Sequence, residues 1–473
     1  MSGIKFGTDG WRAVIADQFT FDNVNIVSQA VIRWIEASKV SRNGVVIGYD
    51  ARFLSEKFAR QAACVFAESG IPVRFSTEIV PTPAISSAAK KYNAVGIVIT
   101  ASHNPPEYNG YKIKAPYGGS ASQPQIREIE KELPAITGPI ETRSFEAYQK
   151  LGLIRIADLK SEYLETLREG IDIGRLKESG LKIAHDPMHG AGSGVLKELL
   201  GEDVVVEING ERNPLFGGQA PEPVESKMQL LSQTVVSKSC DLGIANDGDA
   251  DRIAMVDEKG EFVSSHKILS LLLEYLHKKK GYSGTVVKTF STTSMLEEQA
   301  KQHGLELEVT PIGFKYIAEK IIEGDVLVGG EESGGIAVKG HIPERDGLYI
   351  GLLIAEMLVN SGKTLSSMVQ ELFDEYGMHS YYRSDLHTLE EKKMAMMEYC
   401  RNGKLTDVAG VKVKRREFLD GVKHFLENGS WVMVRPSGTE PVLRIYAEAP
   451  TEEEAKSLVD YTAVMVDQPE IFL

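Results

Sequence analysis

Three times in this chain a short apolar run gives way to a polar turn and then to a helical period, and this repetition restricts the fold more than any other feature. Val45-Val-Ile-Gly-Tyr49 reads as a buried strand with a helix over 56–69 behind it. Leu181-Lys-Ile-Ala184 leads through His189-Gly-Ala-Gly-Ser193 into a helix over 194–200. Thr285-Val-Val-Lys288 leads through Ser291-Thr-Thr-Ser294 into a helix over 295–303. Strands alternating with helices specify βαβ units and parallel sheets, so three α/β domains of similar design are expected. The last hundred residues differ. A strand at 381–383, a charged helix over 390–401, strands at 431–434 and 443–447 and a helix over 451–465 suggest a smaller α+β domain. The loop-like stretch 134–142 ends the first domain, and a charged helix near 161–169 opens the second.

The 473 residues supply enough apolar side chain (42%) for several cores, which excludes a disordered chain. A net charge of −14 argues against a polyanion such as nucleic acid as partner, while a small anion can still be held in a local basic pocket. Cys64, Cys240 and Cys400 are too scattered for a disulfide framework or a zinc site and fit a reducing compartment. The N-terminal stretch 1–17 carries Lys5, Asp9, Arg12 and Asp17 and shows no apolar signal region. The apolar stretch 348–359 is too short for a bilayer and contains Glu356. A cytoplasmic protein that touches neither membrane nor nucleic acid is expected.

Four loops carry chemistry. Thr100-Ala-Ser-His-Asn-Pro105 follows the apolar strand 95–100, so Ser102 sits at the carboxyl end of a strand, where open α/β sheets bind ligands. Asn109-Gly110 reads as a tight turn before Tyr111-Lys112. No glycine flanks Ser102 in the manner of a hydrolase elbow, and a serine alone needs activation or a high-energy modification. In Asn246-Asp-Gly-Asp-Ala-Asp-Arg252, carboxylates at alternate positions can converge on one hard cation. Without a cation such groups, ~4 Å apart, repel by roughly 1–4 kcal/mol per pair. A calcium loop of the EF-hand type needs glycine at its sixth position, where this chain has Arg252, and helices where this chain reads as strands. Magnesium serving a phosphate is the better reading.

The third loop, Gly329-Gly-Glu-Glu-Ser-Gly-Gly335, lets backbone approach a ligand closely and offers carboxylates and a hydroxyl to a polyol. It lacks the lysine of a P-loop. In the fourth, Arg435-Pro-Ser-Gly-Thr-Glu-Pro441, an arginine, two hydroxyls and the N–H groups around Gly438 form a cradle for a phosphate dianion.

With Phe6-Gly-Thr-Asp-Gly-Trp-Arg12 ahead of them and all four loops in order, the chain resembles the α-D-phosphohexomutase family (phosphoglucomutases, phosphomannomutases and phosphoglucosamine mutases) over essentially its whole length. The resemblance implies three similar mixed-sheet α/β domains and a C-terminal α+β phosphate-binding domain around a central cleft, here bounded at 1–148, 149–254, 255–374 and 375–473. It implies that Ser102 is the phosphoserine and that Asp247, Asp249 and Asp251, with an oxygen on Ser102, hold Mg²⁺. Arg12, His103, Lys112 and Arg252 match positions lining the active centre, with Lys112 a candidate general acid/base whose pKa neighbouring cations would lower. Lys288, Glu331 and Ser333 match sugar-side residues, and Arg435, Ser437, Gly438 and Thr439 the phosphate-binding loop.

The implied reaction is interconversion of hexose 1-phosphate and hexose 6-phosphate through a hexose 1,6-bisphosphate, which also serves as activator. Gly335 and the Glu331-Glu332 pair resemble glucose-handling members, so glucose 1-phosphate is expected first and mannose 1-phosphate second. The alternatives are a phosphoglucosamine mutase, or a hexose-bisphosphate synthase or phosphatase built on the same site. A non-catalytic sugar-phosphate sensor has no need of Ser102 and the three aspartates together. The expected partner is the hexose phosphate alone, bound by a monomer or homodimer.

Overall fold

A computed structural model describes residues 3–7, 9–40, 43–437 and 442–466. They form two compact units, one containing residues up to Gly284 together with Gly313–Ser367, the other Thr285–Ile312 with the chain from Met368 onward.

In the larger unit the first sheet runs in the order Trp11–Val14, Tyr108–Ala115, Val95–Ile99, Val45–Tyr49, Val73–Ser76, Ile154–Ala157, with Gly119–Ser120 paired to the second of these. Val45–Tyr49 and Val95–Ile99 are β-branched-rich and buried throughout, as strands covered on both faces must be. The helix Thr82–Tyr92 covers one face closely. A Cβ on Gly48 would lie 2.5 Å from Ile85 Cδ1, so the strand is glycine where the helix presses on it. Four strands of this sheet are parallel, as the alternating pattern predicts, but Tyr108–Ala115 runs antiparallel to both of its neighbours, Trp11–Val14 and Val95–Ile99. The expected turn at Asn109-Gly110 is instead the start of the strand Tyr108–Ala115. Gly110 is wedged between neighbours, with Thr100 O only 2.4 Å and Trp11 O 2.9 Å from where a Cβ would stand. Its turn-forming composition therefore serves close approach rather than chain reversal.

The second sheet of this unit is ordered Phe262–Val263, Ile253–Asp257, Leu242–Asn246, Ile183–Asp186, Val205–Glu207. Leu242–Asn246 and Ile253–Asp257 form an antiparallel pair that turns at 247–252, so the acidic loop has strand flanks as expected. Val326–Gly330 and Ile336–Val338 pair antiparallel around the Glu331 loop. The apolar stretch 348–359 lies in the buried helix Gly347–Ser361, which Asp346 caps by accepting from Tyr349 N. Among the described residues no helix is long and apolar enough to cross a membrane.

The smaller unit contains the parallel pair Thr285–Thr289 and Leu307–Thr310 with the helix Met295–His303. It also contains an antiparallel sheet in the order Ser380–His387, Val442–Ala449, Trp431–Pro436, Val422–Leu426, Val411–Glu417, Asp407–Val408. Met396, Met397 and Cys400 of the helix Glu390–Arg401 join Val432, Val434, Ile445, Leu458 and Val459 in one core. On the other face Trp431, Met433 and Tyr446 pack with Phe290. All three cysteines are free and buried.

Candidate active site

Ser102 stands in a left-handed conformation (φ +53°) just past the strand Val95–Ile99, and its N–H donates to Thr100 Oγ1 at 2.9 Å. What holds the loop is Arg52, whose side chain is fully buried. Its Nη1 donates to Pro105 O (2.8 Å) and Tyr108 O (3.0 Å), and its Nη2 to Ser102 O (2.5 Å) and Asn104 O (2.6 Å). Asp50, 3.3 Å from Arg52 Nε, supplies the countercharge. An unpaired buried guanidinium is costly, and one that satisfies four carbonyls fixes the loop that supplies them. Ser102 Oγ then donates to Asp247 Oδ2 at 2.7 Å and lies 3.4 Å from His103 Nδ1.

The acidic loop meets this serine at close range. Gly248 has no room for a side chain, because a Cβ would stand 2.5 Å from Ser102 O. Asp247, Asp249 and Asp251 are all completely buried, and their ligand oxygens lie within 4.8 Å of one another. Asp249 Oδ2 accepts from Thr82 Oγ1 and from Lys112 Nζ (2.8 Å), and Asp251 Oδ2 accepts from Lys112 Nζ (2.9 Å) and Arg345 Nη2 (2.7 Å). The second oxygens, Asp249 Oδ1 and Asp251 Oδ1, are buried without a hydrogen-bond partner. Burial, with Asp249 and Asp251 beside it, pushes the Asp247 carboxyl well above its usual range. Orphaned oxygens in a close cluster of three carboxylates, one of them bonded to a hydroxyl, fit a hard divalent cation with oxygen ligands. The residues present therefore suit a magnesium ion.

Lys112 is held differently from the sequence expectation. Burial alone would lower its pKa, but Asp249, Asp251 and Asp9 (2.7 Å) outweigh burial and hold it well above the usual lysine value. The predicted lowering by cations fails because carboxylates, not cations, surround Nζ. His103 behaves in the opposite sense. Burial, with Arg252, Arg12 and Lys112 nearby, keeps its imidazole neutral, well below the usual value. Arg12 Nη1 donates to Asn104 Oδ1 at 2.6 Å, and Arg252 N donates to Asp247 Oδ1 at 3.1 Å. The Glu331 loop joins the same unit through a bridge between Arg252 and Gly335. Burial raises the Glu331 carboxyl to about 7 against the pull of Arg345 and Arg252, and Ser333 is half-buried in the same turn.

The other expected residues lie in the smaller unit. Lys288 is buried, and its ammonium is taken up by Thr292 O (3.1 Å), Thr293 O (2.6 Å) and Glu297 (2.9 Å). Arg435 Nε donates to Asp420 Oδ1 at 2.9 Å, and Ser437 N donates to Val442 O at 2.9 Å. Gly438 and Thr439 lie outside the described residues.

Sequence reasoning does not assign Asp9, Arg52, Thr82, Lys114, Glu344 or Arg345 to the site. Asp9, Lys114, Glu344 and Arg345 form a buried network with Lys112, in which Lys114 Nζ donates to Glu344 Oε2 at 2.6 Å. Two signals point to members of this set. Asp50-Ala-Arg52 follows the strand Val45–Tyr49 at its carboxyl end, and Glu344-Arg-Asp346 is a charged run opening an apolar helix.

Four family models match in order. Those described as phosphoglucomutase/phosphomannomutase α/β/α domains I, II and III match residues 3–138, 161–260 and 264–376, and that of the C-terminal domain matches 392–463. The chain belongs to the phosphoglucomutase/phosphomannomutase family. Members are mutases, isomerases with phosphotransferase activity, and the four-domain phosphohexomutase architecture of mixed α/β sheets is present here. A phosphoglucomutase/phosphomannomutase of Thermococcus kodakarensis is 31% identical over 98% of this chain and 99% of its own length. A "probable phosphoglucosamine mutase" of Pyrococcus abyssi is 32% identical over 98% of each chain. The solved structure of a "putative phosphomannomutase" from Thermus thermophilus superposes with a TM-score of 0.86 at 34% identity, covering 99% of this chain and all of that one.

Proposed function

We propose that this phosphohexomutase interconverts hexose 1-phosphate and hexose 6-phosphate through a phosphorylated Ser102, with glucose as the preferred sugar and mannose as a second substrate. The observation that carries the reading is the 2.7 Å contact of Ser102 Oγ with Asp247, beside the two orphaned oxygens of Asp249 and Asp251. A phosphoryl group on Ser102 is transferred to a free sugar hydroxyl. The bond between phosphorus and the serine oxygen breaks as one to the sugar oxygen forms, and the bisphosphate then returns its other phosphoryl group to Ser102. Asp247, Asp249 and Asp251, with an oxygen on Ser102, would hold Mg²⁺, which supplies charge neutralisation for the phosphoryl group in flight.

The chain's own groups cover the rest. Lys112, held as an ammonium by Asp249, Asp251 and Asp9, gives up its proton too reluctantly for an acid and suits charge neutralisation beside Ser102 instead. His103, neutral and 3.4 Å from Ser102 Oγ, is the candidate to accept the proton of the incoming hydroxyl. Arg252 adds positive charge beside Asp247, and Glu331 and Ser333 suit sugar hydroxyls. Arg435 would anchor the non-reacting phosphate. Three free, buried cysteines fit a cytoplasmic enzyme.

A second reading, glucosamine phosphate as substrate, is favoured by the relatives carrying that name at 31–32% identity. Phosphorus NMR of the protein with Mg²⁺, a trace of hexose 1,6-bisphosphate and each 1-phosphate in a separate tube tests both, with Ser102→Ala as control. Formation of glucose 6-phosphate fastest is expected, and the variant is expected to be inactive while still folded. A faster glucosamine tube moves the substrate, free phosphate alone makes the protein a phosphatase, and an active Ser102→Ala variant removes the phosphoserine.

A further inference from the structure

Asp9 Oδ2 and Asp251 Oδ2 each accept from two cations, and they are the same two cations. Lys112 Nζ lies 2.7 Å from Asp9 Oδ2 and 2.9 Å from Asp251 Oδ2, while Arg345 Nη2 bonds both of these same oxygens, Asp251 at 2.7 Å. The four groups close a square of alternating charge. Its corners come from the opening segment, the strand Tyr108–Ala115, the acidic loop and the segment before the helix Gly347–Ser361. Arg345 reaches this square from beside the Glu331 loop, with its Nη1 3.7 Å from Glu331 Oε2 and its guanidinium over the Phe314 ring at 5.2 Å. Gly335 leaves the passage open. A Cβ there would stand 2.4 Å from Arg345 Cδ and 3.1 Å from both Arg345 Cγ and Glu331 Oε2.

We propose that Arg345 is a positioning residue of the reaction, pinning Asp251 and Lys112 in register through the shared oxygens of Asp9 and Asp251, and that residue 335 is glycine so that the arginine can pass. By occupying Asp251 Oδ2 together with Lys112, Arg345 leaves the orphaned Oδ1 as the oxygen offered to a cation. A guanidinium can bridge two carboxylates in one plane, which a lysine on a flexible stem does less well. The inference rests on the metal and phosphoserine reading above.

The test is a double-variant cycle on kcat and KM, paired with the electron paramagnetic resonance spectrum of bound Mn²⁺. For Arg345→Ala we expect kcat to fall about 100-fold, the penalty typical of a reacting group misplaced by about an ångström, with KM changed less than about threefold. Added guanidinium ion should restore part of kcat and the wild-type Mn²⁺ line shape. Gly335→Ala should reproduce the kcat loss, because it displaces the arginine, and combining the two should be no worse than Arg345→Ala alone. Arg345→Lys, which keeps the charge, should fall between wild type and Arg345→Ala, and it serves if the alanine variant does not fold. Near-wild-type kcat in Arg345→Ala, independent losses in the double variant, or an Mn²⁺ spectrum indifferent to Arg345 would overturn the proposal. If instead wild type shows no bound Mn²⁺, or Ser102→Ala still turns over, the underlying metal or phosphoserine reading has failed, and with it this inference.

Discussion

The carbonyl oxygen of Ser102 stands 2.5 Å from the point where a Cβ on Gly248 would lie, so the Ser102 loop and the acidic loop meet with no side chain between them. Gly248 N–H is meanwhile bonded to Pro221 O at 3.2 Å, which leaves the acidic loop little freedom to retreat. Gly248→Ala is therefore expected to push the loops apart and lower kcat about 100-fold, since sub-ångström register governs transfer. Steady-state kinetics, with a melting curve to show that the fold persists, checks it. A variant with wild-type kcat would mean that the loops can separate freely.

Divalent metal should stabilise the protein as well as activate it. Three buried carboxylates with two orphaned oxygens are unfavourable without a cation, and a ligand that binds only the folded state at 100 times its Kd adds about 2.7 kcal/mol. Saturating Mg²⁺ is expected to raise Tm by several degrees, and a chelator to reverse the shift and abolish turnover. In the double variant Asp249→Asn/Asp251→Asn the Mg²⁺-dependent shift should vanish. A shift that persists there would locate the metal elsewhere.

Among the described residues Arg435 pairs with Asp420, 2.9 Å away at a partly exposed position where an ion pair contributes about 1 kcal/mol or less. Arg435→Ala should leave Tm nearly unchanged and raise KM for the hexose phosphate by roughly 10- to 100-fold, the equivalent of one or two charge-assisted hydrogen bonds. An unchanged KM would remove the smaller unit from phosphate binding.

Lys423 gives the smaller unit a pH signature. Burial, with Lys288 adding, pushes its ammonium down to about 7, and its contacts include Phe290 O (3.0 Å) and the Trp431 ring (3.7 Å). Between about 7 and the unfolded value of about 10.4, the unfolded chain holds a proton that the folded one lacks. Stability should therefore rise as pH climbs from 7 to 9, and be lowest, as far as this group is concerned, below 7. Lys423→Met should flatten that rise. Urea midpoints of both proteins at pH 7 and pH 9 measure the difference, and identical slopes would show that Lys423 stays charged in the fold.

The parts of this molecule that are readable in advance are those whose signal is local. A continuous run such as Val45–Tyr49 can hardly be anything but a buried strand, and Asp247, Asp249 and Asp251 can be read as a buried cluster able to hold a cation because they sit on one short turn. Asn109-Gly110 misleads because its composition is that of a turn, while its glycine is required by the approach of Thr100 and Trp11 from either side. The electrostatics of Lys112 are misjudged for a similar reason. Asp9 is 103 positions before it and Asp251 is 139 after it, and only the fold brings both to its ammonium. Arg52 escapes because nothing along the chain reveals that four carbonyls from 102–108 would turn toward it.

Asp9 and Arg345 are bonded across 336 positions of chain, and this has a bearing on how the enzyme comes into being at the ribosome. Synthesis delivers the serine first, then the three aspartates, and only some hundred residues later the arginine that joins Asp251 to Asp9. Until then Asp251 Oδ2 can pair with Lys112 alone, and the square stays open on one side. A nascent or truncated chain ending before residue 345 can complete its first sheet, because domains fold largely as they emerge, yet it lacks the arginine that joins Asp251 to Asp9. On the proposed role of Arg345, catalytic competence would wait for a late point in translation.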